Sequence, residues 1–366
     1  MLSRFSSRLD LVEGFSRPYE DRTVAELRRV LLRLYAVAVG QHEPMPTISG
    51  LRDLVRPEVV RSVLEHYLAR FGKENTKSAA KYAHFLYVVA KYWVKLTEPE
   101  LEMPRGFRTK LKPPHPGMTE KNRRTLRLFE DEVRIERLLF QSDKALAVFN
   151  RILQPPRRDA LALQSALAIA ILIAAPVRSQ NLASIHIERH LIWGRNGSQE
   201  TCHLVFPATE VKNDIDLEFK LPPWVIEILK VYLAKARPLL AQAGNDHLFP
   251  GEHAGHKVPP LLSQQIATTV NRIVGDRVTG HQFRHLVGYL YLTENPGGYE
   301  VVRRFLGHKR IETTIAFYVG MEQSAAVGHW DRHLEGRRQR YLRARAKDRQ
   351  PSHRARRPRK PSKGAR

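Results

Sequence analysis

The sequence predicts a mainly α-helical protein with a small antiparallel β-sheet, divided into two domains. Apolar residues recur at helical spacing through the first hundred residues, and an almost uninterrupted apolar run, ALALQSALAIAILIAAPV, covers residues 160–177. Apolar and polar residues alternate strictly in IDLEFKL, residues 215–221, as in a half-buried strand. A chain of 366 residues suits two domains better than one.

The amino-terminal part reads as a helical domain. Apolar periodicity predicts helices over residues 23–39, 57–71 and 76–96. The third helix has a stripe of apolar residues: Tyr82, Phe85, Leu86, Val89 and Trp93. Basic residues at i, i+4, i+7, i+14 and i+18 occupy a different face: Lys77, Lys81, His84, Lys91 and Lys95. One face is expected to pack and the other to meet phosphate groups, and an ordinary solvated face is the equally open alternative.

Proline and glycine divide the chain after these helices. Residues 98–118 include PHPG and several further proline and glycine residues, which are expected to break regular structure. We therefore predict a helical domain over residues 18–112, a linker over 113–118 and a second domain over 119–335. Residues 336–366 contain fourteen Lys or Arg, one acidic residue and little apolar content, which predicts a disordered basic tail.

The second domain is expected to surround the apolar run. This run is about as long as a membrane span, but charged residues flank it and Pro176 lies near its end, which favours a buried central helix. Strands are predicted at IHI from Ile185, at HLVF over 203–206 and at IDLEFKL, and PATEVKND forms a hairpin connection with Lys212 near its tip. Further helices are predicted over residues 224–236 and 262–274, and from His281 onward.

The charge of the chain indicates a polyanionic partner. Lys and Arg number 61 against 37 Asp and Glu, a formal net charge of +24. A ribosomal-type or merely soluble basic protein is the alternative on charge alone. Cys202 is the single cysteine, which excludes an intramolecular disulfide, fits a reducing compartment and argues against a structural zinc site. MLSRFSSRLDLVEGF has charges where a signal peptide needs an apolar segment.

Basic side chains and one tyrosine are the candidates for chemistry. The chain contains no G-x-x-x-x-G-K-[ST] or G-x-G-x-x-G motif, and His253 and His256 are too few for a metal site. The candidates are Arg178, Lys212, His281, Arg284, His308 and Tyr318. Each alone has an ordinary explanation, such as helix capping, surface solvation or amphipathic packing.

Together, these six residues form a coherent set for attack on a phosphodiester. Arginine stabilises developing charge on phosphate oxygens, histidine exchanges the tyrosine proton, lysine protonates the departing oxygen, and tyrosine acts as the covalent nucleophile. His308 and Tyr318 are ten positions apart, so one helix would place them about 80° apart. They are therefore expected to address one phosphate rather than contact each other.

Four segments, in this order, resemble the catalytic domain of tyrosine recombinases, the phage integrase family. These are APVRSQNL, VFPATEVKNDIDLEFKLP, GHQFRH and LGHKRIETTIAFY, and the resemblance covers residues 118–334. Residues 18–112 resemble the helical core-binding domain of that family in size and position only. The chain departs from the family pattern at Asn181, where an acidic residue is usual, and in the ten-residue interval from His308 to Tyr318.

The resemblance implies a role for each candidate residue. Arg178 and Arg284 would clamp the scissile phosphate, and His308 would add a hydrogen bond. His281 would act as acid and base, Lys212 would protonate the 5′-hydroxyl, and Tyr318 would form a 3′-phosphotyrosyl intermediate. The basic face of the third helix would contact DNA.

The implied function is site-specific DNA recombination or integration, as in mobile elements, without cofactor or metal. A type IB topoisomerase-like enzyme and a catalytically inactive DNA-binding relative are the alternatives. The implied partners are double-stranded DNA with recombination sites, three further protomers in a synaptic tetramer, and accessory or directionality proteins. Residues 325–334, AAVGHWDRHL, are a candidate for docking onto a neighbouring protomer or for packing on their own domain. The expected location is cytoplasmic, at a bacterial nucleoid, with no membrane contact.

Overall fold

A computed structural model describes residues 21–40, 48–71, 77–112, 118–318 and 322–348. The chain divides into two compact units, residues 1–116 and 117–366. Each unit has its own cluster of buried apolar side chains. The prediction of a mainly helical protein with a small antiparallel sheet is confirmed.

Helices form the described part of the first unit. They are α1 (Asp21–Gly40), α2 (Leu51–Leu54), α3 (Pro57–Phe71), α4 (Lys77–Val89) and α5 (Glu98–Lys110). A wider π-helical turn, Ala90–Val94, extends α4 and ends at Lys95, whose φ is 55°. In α4 the predicted apolar stripe is confirmed, because Tyr82, Phe85, Leu86 and Val89 are buried.

Helix α5 corrects the expectation that residues 98–118 lack regular structure. Glu100 accepts hydrogen bonds from the backbone N–H and hydroxyl of Thr97, at 2.8 and 2.9 Å, which caps the start of the helix. Pro99 lies in the first turn, where a missing N–H costs nothing. Pro104 lies further inside the helix and is buried. Residues 113–117 of the predicted linker lie outside the described residues.

Helices also dominate the second unit. They are α6 (Glu120–Arg127), α7 (Glu132–Leu139), α8 (Gln141–Asn150), α9 (Arg157–Ala174), α10 (Ser179–Ala183), α11 (Ile187–His190), α12 (Pro223–Val231), α13 (Pro259–Val274), α14 (Gly280–Glu294), α15 (Tyr299–Leu306), α16 (Ile311–Tyr318) and α17 (Glu322–Asp348). Helix α9 is the predicted central helix, and every residue from 163 to 172 is buried. Within the described ranges, no helix has the length and apolar character needed to cross a membrane.

The sheet has three antiparallel strands in the order β1 (Leu191–Asn196), β2 (Gln199–Phe206) and β3 (Leu217–Lys220). The segment from Ile185 was predicted as a strand, but His186 forms only an isolated bridge to His247. The first strand is instead LIWGRN, which the sequence analysis missed because only Leu191 is buried and no alternation shows. Its hairpin turn contains Gly197 at φ 61°, so glycine after Asn196 was the available signal.

The basic tail also differs from its prediction. Residues 336–348 were expected to be disordered, but they continue α17. The segment RRQRYLRARAKD contains mostly good helix formers and no proline, so backbone propensity favours a helix despite the charge. Residues 349–366 lie outside the described part of the chain.

Candidate active site

Arg178 lies where the chain leaves the buried central helix. It occupies the N-cap position of α10, preceded by the buried Val177. Its side chain is half-buried, and burial lowers the pKa of its guanidinium. The Nη1 atom is buried and has no hydrogen-bond partner among the described residues. A buried N–H donor of a charged group is costly when unpaired, so this atom is poised to receive an acceptor.

Arg284 lies in the second turn of α14 and joins two loops of the site. Its Nη1 donates to the carbonyl oxygen of Pro176, and its Nη2 donates to the carbonyl oxygen of Leu306. Burial, followed by the charge of Arg178, lowers the pKa of Arg284 to about 10, so the guanidinium stays charged at neutral pH. Arg284 thereby fixes the segment before Arg178 against the turn that precedes His308.

Two histidines flank Arg284 on the same helix. The rings of His281 and His285 meet edge to face, with centroids 4.8 Å apart. His281 lies at the surface of the site, where partial desolvation, and then the charges of Arg284 and Arg178, lower its pKa. His285 is 5% exposed, and burial, then His281, Arg284 and His308, lower its pKa to about 4. The Nε2 atom of His285 is buried without a hydrogen-bond partner among the described residues.

His308 follows a glycine turn at the end of α15. Gly307 has φ 59°, and a Cβ atom there would lie 2.8 Å from Leu217, so the turn requires glycine. Arg303 holds the histidine backbone in both directions: its carbonyl accepts from the His308 N–H at 3.0 Å, and its Nη1 donates to the His308 carbonyl at 2.9 Å. The imidazole Nδ1 shares a 2.9 Å hydrogen bond with Oγ1 of the buried Thr314. This bond leaves Nε2 as the other nitrogen available to a ligand.

The pKa of His308 is lowered to about 4 by burial, and then by Arg284, Arg178 and Arg303. His308 is therefore neutral at pH 7. A neutral imidazole can donate one hydrogen bond to a phosphate oxygen, which is the role that the resemblance implies.

Tyr318 is the last residue of α16 and is 1% exposed. Its hydroxyl donates a 3.2 Å hydrogen bond to the carbonyl oxygen of Arg284. The ring lies against Gly288, one turn further along α14, where a Cβ atom would be 2.6 Å from Cζ of Tyr318. Burial raises the pKa of Tyr318, and Arg284 partly opposes that rise. The hydroxyl is therefore enclosed by the protein and hydrogen-bonded to the backbone of α14 in this structure.

Lys212 lies in the connection between β2 and β3. The side chain is exposed and, within the described residues, forms no hydrogen bond or ion pair. The neighbouring Asn213 donates from Nδ2 to the carbonyl oxygen of Gly307 at 2.6 Å, which brings this connection to the His308 turn. The lysine is thus attached to the rim of the same cluster.

The cluster has an unbalanced charge. Among the described residues, none of Arg178, His281, Arg284, His285 and His308 forms an ion pair with a carboxylate. Two guanidinium groups with lowered pKa values therefore share a partly buried region without a counter-ion from the chain. Such an arrangement is expensive unless an anion completes it. A phosphate group has the charge and acceptor oxygens to do so.

The structure brings five of the six predicted residues into contact or electrostatic coupling and places Lys212 at their edge. The sequence analysis missed His285, Gly288 and Thr314. His285 lies four positions after His281, so helical spacing was a usable signal. Gly288 interrupts a helix, where glycine is unfavourable unless a close approach requires it.

The basic face of α4 and the following turn belongs to the first unit. Lys81 forms a 2.6 Å ion pair with Glu26. His84 lies at the surface, where partial desolvation and the charge of Arg108 lower its pKa. The Lys91 Nζ atom lies 5.4 Å from the ring centroid of Tyr92, and Lys95 is exposed. The side chain of Lys77 lies outside the described residues. DNA contact by this face stays a prediction.

The phage integrase family model matches residues 146–324, which include all six predicted catalytic residues. Residues 146–324 are therefore similar to the phage integrase family. The fold is that of tyrosine recombinases: the XerH site-specific recombinase bound to difH substrate in a pre-cleavage complex aligns with a TM-score of 0.53 and 18% identity. That alignment covers 83% of this chain and 79% of XerH.

More distant alignments include DNA complexes of two other integrases. A lambda integrase tetramer bound to a Holliday junction has a TM-score of 0.46 and 12% identity, over 86% of this chain and 75% of that one. The Tn1549 transposon integrase in complex with transposon right end DNA has a TM-score of 0.47 and 11% identity, over 90% and 98%. A search of curated protein sequences finds no match.

Proposed function

We propose that this protein is a site-specific DNA recombinase that cleaves and rejoins DNA through a 3′-phosphotyrosyl intermediate. Arg178, Arg284 and His308 bind the scissile phosphate, and His281 exchanges protons beside it. Lys212 protonates the 5′-oxygen, and Tyr318 is the nucleophile.

The observation that carries this proposal is the uncompensated positive cluster with its unpaired donor. Nη1 of Arg178 is buried and, in the part of the chain that the structure describes, has no hydrogen-bond partner. Desolvation lowers the pKa of Arg178, and desolvation together with neighbouring positive groups lowers the pKa values of His281 and Arg284. A scissile phosphate supplies both the missing charge and the missing acceptor. As the phosphorus becomes five-coordinate, negative charge grows on its non-bridging oxygens, so preorganised arginines bind the transition state more strongly than the ground state.

Tyr318 sets the order of events. Its hydroxyl is bound to the Arg284 carbonyl in a buried seat, and its raised pKa disfavours phenolate there. DNA binding must draw the ring out of this seat toward the phosphate. There its proton passes to a neutral base such as His281, the phenolic oxygen forms a bond to phosphorus, and the P–O5′ bond breaks. The covalent link retains the bond energy for rejoining without a cofactor.

Double-stranded DNA with recombination sites is the proposed partner, in a tetramer of this chain. Exchange of two duplexes requires four cleavages, and each protomer supplies one tyrosine. Helix α17 has exposed apolar residues at helical spacing, namely Val327, Trp330, Leu334 and Tyr341. Three of these four residues lie in the predicted docking segment, and an exposed apolar stripe of this kind suits contact with a neighbouring protomer. Accessory or directionality proteins and a location at the cytoplasmic nucleoid are expected from the same function.

The test is covalent trapping on nicked duplexes taken from the DNA that flanks the gene. Wild type is expected to form an adduct that survives denaturation and needs no metal ion. Tyr318→Phe should bind the same duplex but form no adduct. An adduct formed equally by Tyr318→Phe would remove Tyr318 from its role. Specific binding without an adduct by either protein would favour the inactive DNA-binding relative, and relaxation of plasmids without any site requirement would favour a type IB topoisomerase-like enzyme.

A further inference from the structure

The connection that holds Lys212 is anchored while the lysine itself is unrestrained. Residues 207–216 join β2 to β3, and Lys212 is exposed there without a partner among the described residues. A lysine side chain has many rotamers, so its ammonium group can occupy many positions around a given backbone. The contacts of the neighbouring residues fix that backbone and therefore limit these positions.

The first anchor is Glu210, two residues before Lys212. Its Oε2 atom accepts a 2.9 Å hydrogen bond from Nε2 of His190, and Arg189 forms an ion pair with its other oxygen at 3.6 Å. Its backbone carbonyl accepts a 2.9 Å hydrogen bond from Nδ2 of the buried Asn181. Glu210 is therefore held through its side chain and its backbone by α10 and α11.

The geometry fixes the proton on His190. Nδ1 accepts a 2.9 Å hydrogen bond from the backbone N–H of His186, so the neutral ring has its proton on Nε2 and donates it to Glu210. His190 is 1% exposed, and its ring packs 4.7 Å from the ring of Phe206 at the end of β2. A buried histidine that can donate in one direction only is a rigid support for a carboxylate.

The second anchor follows Lys212 directly. Asn213 donates to the carbonyl oxygen of Gly307, and Asp214 pairs with Lys309 at 2.9 Å. These contacts fasten the far side of the connection to the turn that holds His308. Lys212 thus lies between one anchor on α10 and α11 and another on the His308 turn.

We infer that Glu210, supported by His190, is a positioning residue that sets the approach of Lys212 to the 5′-oxygen. This inference rests on the proposed function. Lys212 donates a proton from its ammonium to O5′ as the P–O5′ bond breaks, and it remains as a neutral amine. A donor must be within hydrogen-bond reach of that oxygen, and a misplacement of about 1 Å costs on the order of 100-fold in rate.

A leaving-group substitution isolates this role. When sulfur replaces O5′ at the scissile bond, the P–S bond breaks to give a thiolate, which needs no proton because thiols have a pKa of about 8.5. Glu210→Ala should slow single-turnover cleavage of the ordinary duplex about 10- to 100-fold and leave the sulfur duplex within about threefold of wild type. His190→Phe keeps the ring packing and should show the same selective loss.

Two further variants complete the design. Glu218→Ala is the control, because it removes a different His–Glu pair. Glu218 of β3 pairs with His203 of β2 at 2.7 Å, outside the Lys212 connection, so this variant should behave as wild type on both duplexes. Lys212→Ala should lose activity on the ordinary duplex and recover it on the sulfur duplex.

If Lys212→Ala recovers on the sulfur duplex but Glu210→Ala loses activity equally on both duplexes, or on neither, the positioning role of Glu210 is overturned and the proposed function stands. A Lys212→Ala variant that gains nothing from sulfur, or a wild type that cleaves neither duplex, would overturn the proposed function together with this inference.

Discussion

Replacing Gly288 by alanine tests the buried position of the Tyr318 ring. A Cβ atom at position 288 would lie 2.6 Å from Cζ of Tyr318, and closer still to its hydroxyl oxygen. Carbon atoms normally approach to about 3.5–4.0 Å, so the ring must retreat by about 1 Å. Overpacking of this kind costs about 1–3 kcal/mol, and alanine in a helix interior returns about 0.5–1 kcal/mol. The free energy of unfolding should therefore fall by about 1.25 kcal/mol, the difference between the midpoints of these two ranges.

Thermal unfolding followed by circular dichroism measures this change. For a domain of this size, 1 kcal/mol corresponds to about 2–4 °C, so Tm of the second unit should fall by roughly 2.5–5 °C. In a Tyr318→Ala background the clash is absent, and Gly288→Ala should instead raise stability by about 0.5–1 kcal/mol. Gly336→Ala in α17 is the control, because its new Cβ meets only the end of Arg340 at 4.0 Å. A cost of Gly288→Ala that is the same with and without Tyr318 would refute this placement of the ring.

Three further predictions concern the charges of the two units. Arg178→Ala removes the unpaired donor and should slow adduct formation about 100- to 1000-fold in single-turnover assays; a loss smaller than about tenfold would contradict phosphate binding by Arg178. The pKa of His285 is about 4 folded and near 6.5 unfolded, so the unfolded state binds more protons between these values and stability falls as pH drops through that window. Urea unfolding should lose about 2 kcal/mol from this group between pH 7 and pH 5, and His285→Gln should remove that loss. Lys91→Ala should reduce the slope of log affinity for DNA against log salt by about one, and Lys81→Ala should reduce it less because Glu26 already pairs with Lys81. An unchanged slope for Lys91→Ala would remove it from the DNA-contacting face.

The sequence predicted features whose physical signal is local. The apolar run around α9 predicts a fully buried helix, and the alternation in β3 predicts a half-buried strand. Both elements form as predicted. Strand β1 was missed because its residues are mostly exposed and its only signal is a turn glycine. Helix α5 was missed because its proline residues indicated a break in regular structure. Thr97 and Glu100, which cap the start of the helix, were the signal in its favour.

The chemistry of the candidate site was predicted from residue types, but its geometry was not. Arg284 and Tyr318 are separated by many residues in sequence, so no spacing rule shows that the tyrosine hydroxyl bonds to the arginine carbonyl. The lowered pKa values of His281 and His308 arise from desolvation and from the charges of Arg178 and Arg284, which only the folded chain brings together. The contacts that anchor the Lys212 connection likewise involve four segments that are separate in sequence: α10, α11, the connection itself and the His308 turn.

The most direct test of the central claim is to map the covalent bond between protein and DNA. Trypsin cleaves after Arg310 and Arg332, and the peptide between them, IETTIAFYVGMEQSAAVGHWDR, contains Tyr318 as its one tyrosine. Mass spectrometry of the digested adduct should find this peptide joined to a 3′-phosphate, with a free 5′-hydroxyl on the released strand. Attachment through another peptide, or to a 5′-phosphate, would contradict the assignment of Tyr318 and of the phosphate-binding cluster around it.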